Sequence, residues 1–228
     1  MKNFGFTLAE VLITLAVIGI IAALTIPGLI SSVEKSQYEA AFKKEYSVIS
    51  RAYELYQANG NDMATDAFPG TDTGASALNQ IAPYLNIIKN CGNQMGCLHD
   101  LPIYNLDGSE EIADFGAAFN SWGTASAILA DGTMIVMKDN DNHCTGSPPH
   151  GTVTSGPLYQ SVCGWMWLDV NGAKGPNTLG RDVFGIWLTK TGVYPEGSNG
   201  DPYGNDCGEG ATVGQGCPAY VLAHGMDY

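Results

Sequence analysis

The sequence predicts an α+β fold: a long N-terminal α-helix, transmembrane and then amphipathic, packed on an antiparallel β-sheet head. Three observations predict it. No charged residue occurs from Val11 to Val33, a run long enough to cross a bilayer as a helix. A stretch with helical apolar spacing follows directly. The remainder carries most of the chain's 29 glycines and is cut into short apolar runs by turn-forming residues, a composition that suits strands and loops.

The apolar run poses a problem at its head, where Glu10 stands. Fourteen Phe, Leu, Ile or Val residues lie between Phe6 and Ile30. At about −0.3 to −0.6 kcal/mol each they outweigh the cost of about 3 kcal/mol for one acidic group in a membrane. Insertion therefore tolerates Glu10, and an intramembrane carboxylate marks a functional position that needs a partner. A cleaved secretory signal would want a basic start, an apolar stretch of about 7–15 residues and a small-residue cleavage site. Here Lys2 is the only basic residue ahead of the run, and the run is too long. A plain transmembrane anchor fits the length but leaves Glu10 without a role.

The helix is expected to continue past the membrane. In "SSVEKSQYEAAFKKEYSVISRAYELYQANG", Val33, Tyr38, Phe42, Tyr46, Ile49, Tyr53 and Tyr56 recur every three to five residues. That spacing makes one stripe to bury, and Asn59-Gly60 supplies the stop signal. A helix from Phe6 to Ala58 would be about 80 Å long. Pro27 removes a backbone donor and is expected to kink or locally melt it.

Beyond it, "NDMATDAFPGTDTGAS" reads as a loop and "ALNQIAPYLNIIKNC" as a short helix broken at Pro83. "ASAILADGTMIVMKDND" is a hairpin turning at Asp131-Gly132. "CGWMWLDVNG" and "DVFGIWLTKTG" are two further strands, and "GCPAYVLAHGMDY" a closing helix. About four strands are expected.

With 10 Lys and Arg against 23 Asp and Glu, the formal net charge is −13, which argues against nucleic-acid binding, since phosphate contacts need clustered cations. The six cysteines, Cys91, Cys97, Cys144, Cys163, Cys207 and Cys217, read as a disulfide framework outside the cytoplasm. Fifteen connectivities are open, and proximity favours pairing sequence neighbours. Zinc on His143, Cys144, His150 and Cys163 is the rival reading, weakened by the lack of a C-x-x-C element.

Three acidic turns could hold a metal: Asp169 and Asn171 with Asp182, Asp139 with Asp141, and Asp201 with Asp206. The first is preferred as a candidate calcium site, since calcium takes oxygen ligands from a flexible loop. Asp and Asn in such turns also bond their own backbone. No nucleophile elbow, H-E-x-x-H or P-loop occurs, and "GEGATVGQG" lacks the strand–loop–helix setting of a phosphate cradle. The chain is read as not an enzyme; a membrane-anchored extracytoplasmic enzyme or binding domain is the alternative.

"KNFGFTLAEVLITLAVIGIIAALTIP" resembles the class III leader and first helix of type IV pilins and type II secretion pseudopilins. The resemblance is specific over the first 58 residues and architectural beyond them. It implies that a prepilin peptidase cuts between Gly5 and Phe6 and methylates the new Phe6 amine. It also assigns Glu10, Gly19 and Pro27 to assembly. The new amine, with an ordinary pKa of about 7.7–8, would meet Glu10 of a neighbouring helix inside an apolar bundle. The resemblance further implies a pilin-like fold, other pilin-like subunits in a helical filament and an inner-membrane assembly platform as partners. It implies a single-pass inner-membrane protein with its head in the periplasm or outside. Four segments follow: leader 1–5, transmembrane and assembly half 6–30, amphipathic half 31–59, and disulfide-braced head 60–228. Major pseudopilins carry calcium in a loop near the C-terminus, which the Asp169 loop matches in location and composition. A secretion pseudopilus and a type IV pilus remain equal readings.

Overall fold

The computed structural model describes residues 7–70, 74–140, 143–148, 153–198, 201–204 and 206–228. Gly5, Phe6, Asp141 and His150 lie outside them. Helix α1 (Leu8–Ala58) begins at a reciprocal cap, because Thr7 and Glu10 stand three apart. The Thr7 amide and hydroxyl both donate to Glu10 Oε2 at 2.8 Å, and the Glu10 amide donates to Thr7 Oγ1 at 3.3 Å. The helix runs through Pro27 without a break, so the expected local melting does not occur. A proline deletes one backbone hydrogen bond, and the ladder on either side holds the turn.

Contacts divide the chain into two units, ending and beginning at Gln37 and Tyr38. In the first unit the apolar side chains of α1 are exposed, Leu8, Leu24 and Leu29 among them. In the second, Phe42, Ile49, Tyr53 and Tyr56 of the predicted stripe are buried together with Glu45 and Ala52, while Tyr38 and Tyr46 are half-buried. Val33, the first member of that stripe, is 46% exposed.

That stripe covers one face of a six-stranded antiparallel sheet. Its strands are β1 (Ile87–Gly92), β4 (Ala125–Leu129), β5 (Met134–Asp139), β6 (Val162–Asp169), β7 (Val183–Thr189) and β8 (Val193–Pro195), neighbours in that order. The predicted hairpin at Asp131-Gly132 joins β4 to β5, with Gly132 at φ 96° where a side chain would be strained. A separate pair, β2 (Ile103–Tyr104) and β3 (Glu110–Ile112), and helix α3 (Phe115–Ser121) form a second layer. Helix α2 (Ala75–Ile81) passes into a single 3-10 turn at Pro83, and α4 (Cys217–His224) closes the chain. The expectation of about four strands counted only part of the sheet, missing its two edges.

β6 and β7 are buried on both faces, and their two-residue alternation sorts the side chains. Met166, Leu168, Phe184, Ile186 and Leu188 join the α1 stripe in the main core. Phe42 stacks on Phe184 with centroids 4.2 Å apart and planes at 18°. Tyr46 donates to the Val193 carbonyl at 2.8 Å, Tyr53 to that of Thr189, and Gln57 to that of Lys190 at 2.6 Å. Lys44 adds ion pairs to Glu45 at 2.9 Å and Asp131 at 2.6 Å. Burial pushes the Glu45 carboxyl up. Burial also acts on Asp131, but hydrogen bonds from Glu45 and Lys44 outweigh it and hold Asp131 well below the usual range. Asp131 thus carries charge beside Lys44.

Replacing a buried phenylalanine by alanine costs about 3–5 kcal/mol through lost transfer energy and the cavity left behind. Phe42→Ala is expected to destabilise the head by that amount in urea unfolding of the full chain in detergent. A loss below about 1 kcal/mol would mean that the helix stripe does not hold the head.

Candidate functional site

Glu10, Gly19 and Pro27, the residues expected to serve assembly, lie in the exposed part of α1. Among the described residues α1 is the one helix long and apolar enough to cross a membrane. Glu10 caps its own helix, Gly19 has open space where a Cβ would stand, and Pro27 sits in the helix interior. The capping box Thr7-x-x-Glu10 is readable in the sequence and gives Glu10 a local partner that the assembly reading alone did not require.

The three disulfides join Cys91 to Cys97, Cys144 to Cys163, and Cys207 to Cys217. They are sequence neighbours in each case. With Cys144 and Cys163 joined, neither thiolate is left for zinc. The last bridge holds the loop ahead of α4 to that helix's first residue.

Asp169, Asn171 and Asp182 come together where β6 leaves the sheet and β7 enters it. The two carboxylates are 0% exposed and interact electrostatically. Asp182 accepts the amides of Asn177 at 2.8 Å and Thr178 at 2.7 Å. Asp169 Oδ1 accepts the Asn171 amide at 3.2 Å, while its Oδ2 lies 3.0 Å from His99 Nε2. The Leu101 amide donates to His99 Nδ1 at 3.2 Å, so the network assigns the ring proton to Nε2, which donates to Asp169. This buried His99–Asp169 pair spans 70 positions, and no local motif signals it.

Burial pushes both carboxyls up. For Asp169 the hydrogen bond from His99 opposes it. Asp182 reaches about 6, with the Thr178 and Asn177 amides opposing burial and Asp169 adding repulsion. The side-chain oxygens of Asn171 and Asn177 are buried without a hydrogen-bond partner. Two carboxylates and two unpaired amide oxygens are hard donors of the type calcium takes. Among the described residues no group of three or more His, Cys, Asp or Glu is placed to hold a metal, so such a site would rely on amide and carbonyl oxygens.

The prokaryotic N-terminal methylation motif matches over residues 1–26. The chain is similar to the type II secretion system core protein G of Pseudomonas aeruginosa, 28% identical over 58% of this chain and 77% of the relative. It is also similar to the core protein G of Escherichia coli, 28% identical over 44% of this chain and 65% of the relative. The match to that of Aeromonas hydrophila is 31% identical over 34% of this chain and spans 50% of the relative. No solved structure gives a significant match. A long, capped, apolar helix start leading onto an antiparallel sheet is a pilin-like architecture. The motif, the relatives and this architecture make the chain similar to the type II secretion pseudopilins.

Asp182 titrates near 6 in the fold and near its ordinary 3.8 when unfolded, so the folded state holds its proton more tightly. Its contribution is fully present below about pH 4 and lost as pH rises through about 6, at a cost of about 3 kcal/mol. Asp169 and Glu196 are shifted in the same direction. In chelator-containing buffer the unfolding free energy is expected to fall between pH 4 and pH 7, and Asp182→Asn to flatten that slope. A wild-type slope unchanged by the substitution would contradict the assignment.

Proposed function

We propose that this chain is a pseudopilin-type structural subunit, processed by a prepilin peptidase and assembled into a filament. The observation that carries the reading is the methylation motif at the very start of an exposed apolar helix that Thr7 and Glu10 cap. Before assembly the subunit waits as a single-pass membrane protein, with Lys2 on the cytoplasmic side and the disulfide-bonded head outside the cytoplasm. Cleavage after Gly5 frees the Phe6 amine. The helix then enters a bundle in which Glu10 leaves its local cap and faces a neighbour's amine. In an apolar bundle that pair rewards one register and penalises others, because an unpaired buried charge costs about 3–5 kcal/mol. A piston or fibre subunit works mechanically, and the reading assigns it no catalysis.

Glu10→Ala is expected to leave membrane insertion intact and to lower assembled filament by more than about tenfold. Thr7→Ala removes the two cap bonds of the hydroxyl but keeps the carboxylate, so it should assemble far better. Wild-type filament in Glu10→Ala, or equal losses in the two variants, would contradict the pairing.

We also propose calcium at the Asp169–Asn171–Asp182 loop, where a cation would offset two buried carboxylates and use the unpaired amide oxygens. When bound it would fix the β6–β7 connection. Calcium at about 1 mM should raise the unfolding midpoint of the wild type and leave that of Asp182→Asn unmoved. An equal shift in both proteins would place the ion elsewhere.

A further inference from the structure

All four tryptophans of the chain, Trp122, Trp165, Trp167 and Trp187, line one cavity of about 290 Å³. It lies on the sheet face turned away from the α1 stripe. Trp165 is the cross-strand partner of Trp187, and Trp167 that of Gly185, so the pleat sends these three indoles to the same side. Trp122, just past α3, meets Trp165 with centroids 6.5 Å apart and planes at 81°. Tyr203 and Glu111 belong to the same lining.

A carboxylate is built into this aromatic chamber. Glu196 follows β8, is 2% exposed, and accepts the Trp167 indole N–H at 3.3 Å. Its side chain lies where a residue at 185 would put a Cβ, only 2.0 Å from Glu196 Oε2, so glycine at 185 is what admits it. None of the ion pairs among the described residues reaches Glu196. Burial and the nearby Asp201 carboxylate together push its carboxyl well up.

The available chemistry selects among ligands. The indole N–H of Trp167 is committed to Glu196 and that of Trp187 to Asp201. The chamber thus presents π faces and carboxylate oxygens, together with the Gln215 amide and the Tyr203 hydroxyl. A quaternary ammonium group needs no hydrogen bond and is attracted both to indole faces and to a carboxylate. The cavity is near the lower end of the size range of small-ligand pockets.

We propose that this chamber binds a quaternary ammonium group, with Trp165, Trp167 and Trp187 as its π walls and Glu196 as the carboxyl whose ionised form the bound cation favours. The site is independent of N-terminal processing and of the calcium loop. It gives the subunit a recognition role in addition to its mechanical one.

The test uses the full chain in a polyoxyethylene-ether detergent, which carries no choline group. Tryptophan emission is read directly, since every tryptophan lines the chamber. Choline chloride should give a saturable change at concentrations about tenfold lower than its uncharged isostere 3,3-dimethylbutan-1-ol, with sodium chloride as the ionic control. Glu196→Gln should weaken choline about tenfold while near-ultraviolet circular dichroism stays native. Trp165→Leu, at a partly exposed position, should abolish the preference for choline if Glu196→Gln misfolds. Response to choline alone assigns a free solute, and response to phosphocholine as well assigns a head group; both support the proposal. Equal affinity for choline and the alcohol, tighter binding of N-acetylglucosamine, or no response in folded protein at about 100 mM choline would overturn it.

Discussion

The stacking of Phe42 on Phe184, with the buried turns of α1 behind it, is the contact on which the rest depends. It decides which face of the sheet the helix covers. Once Met166, Leu168, Ile186 and Leu188 are committed to that face, the pleat commits Trp165, Trp167 and Trp187 to the other. The same helix carries no such partner before Tyr38, where its apolar side chains stay exposed. One element therefore behaves in two ways: its second half belongs to the head's core, and its first leaves its apolar side chains exposed.

Much of this was legible because strong local patterns met little competition. The aromatic stripe from Tyr38 to Tyr56, the Asp131-Gly132 turn and the apolar runs of β6 and β7 each state their structure within a short window. The edges were harder. β1 carries Lys89 and Asn90 and pairs with β4 through two irregularities, so its period-two signal is broken. β8 spans three residues, and β2 and β3 fewer than six between them, too short to show alternation. At Pro27 the expected melting did not occur, since the helix continues on both sides of the one bond it removes.

The candidate sites divide along the same line. Glu10 was readable because a charge in a long apolar run has few explanations. Asp169, Asn171 and Asp182 were readable as a group, but His99 and Glu196 were not. Each reaches its partner across the chain through sheet register and loop packing, which no local spacing encodes. An acidic composition spread over 228 residues also concealed that Glu45, Asp169, Asp182 and Glu196 are deeply buried rather than solvated. Their raised proton affinities are consequences of the fold, not of the residue types alone.

The central claim is that the N-terminus is cut and modified so that the apolar half of α1 can assemble. The intact mass of the protein, extracted from a host that carries a prepilin peptidase, tests it most directly. The account predicts loss of Met1 through Gly5, a gain of one methyl group, and a deficit of six hydrogens for the three disulfides. A mass that retains the first five residues beside an active peptidase would contradict it and leave Glu10 as no more than the cap of its own helix.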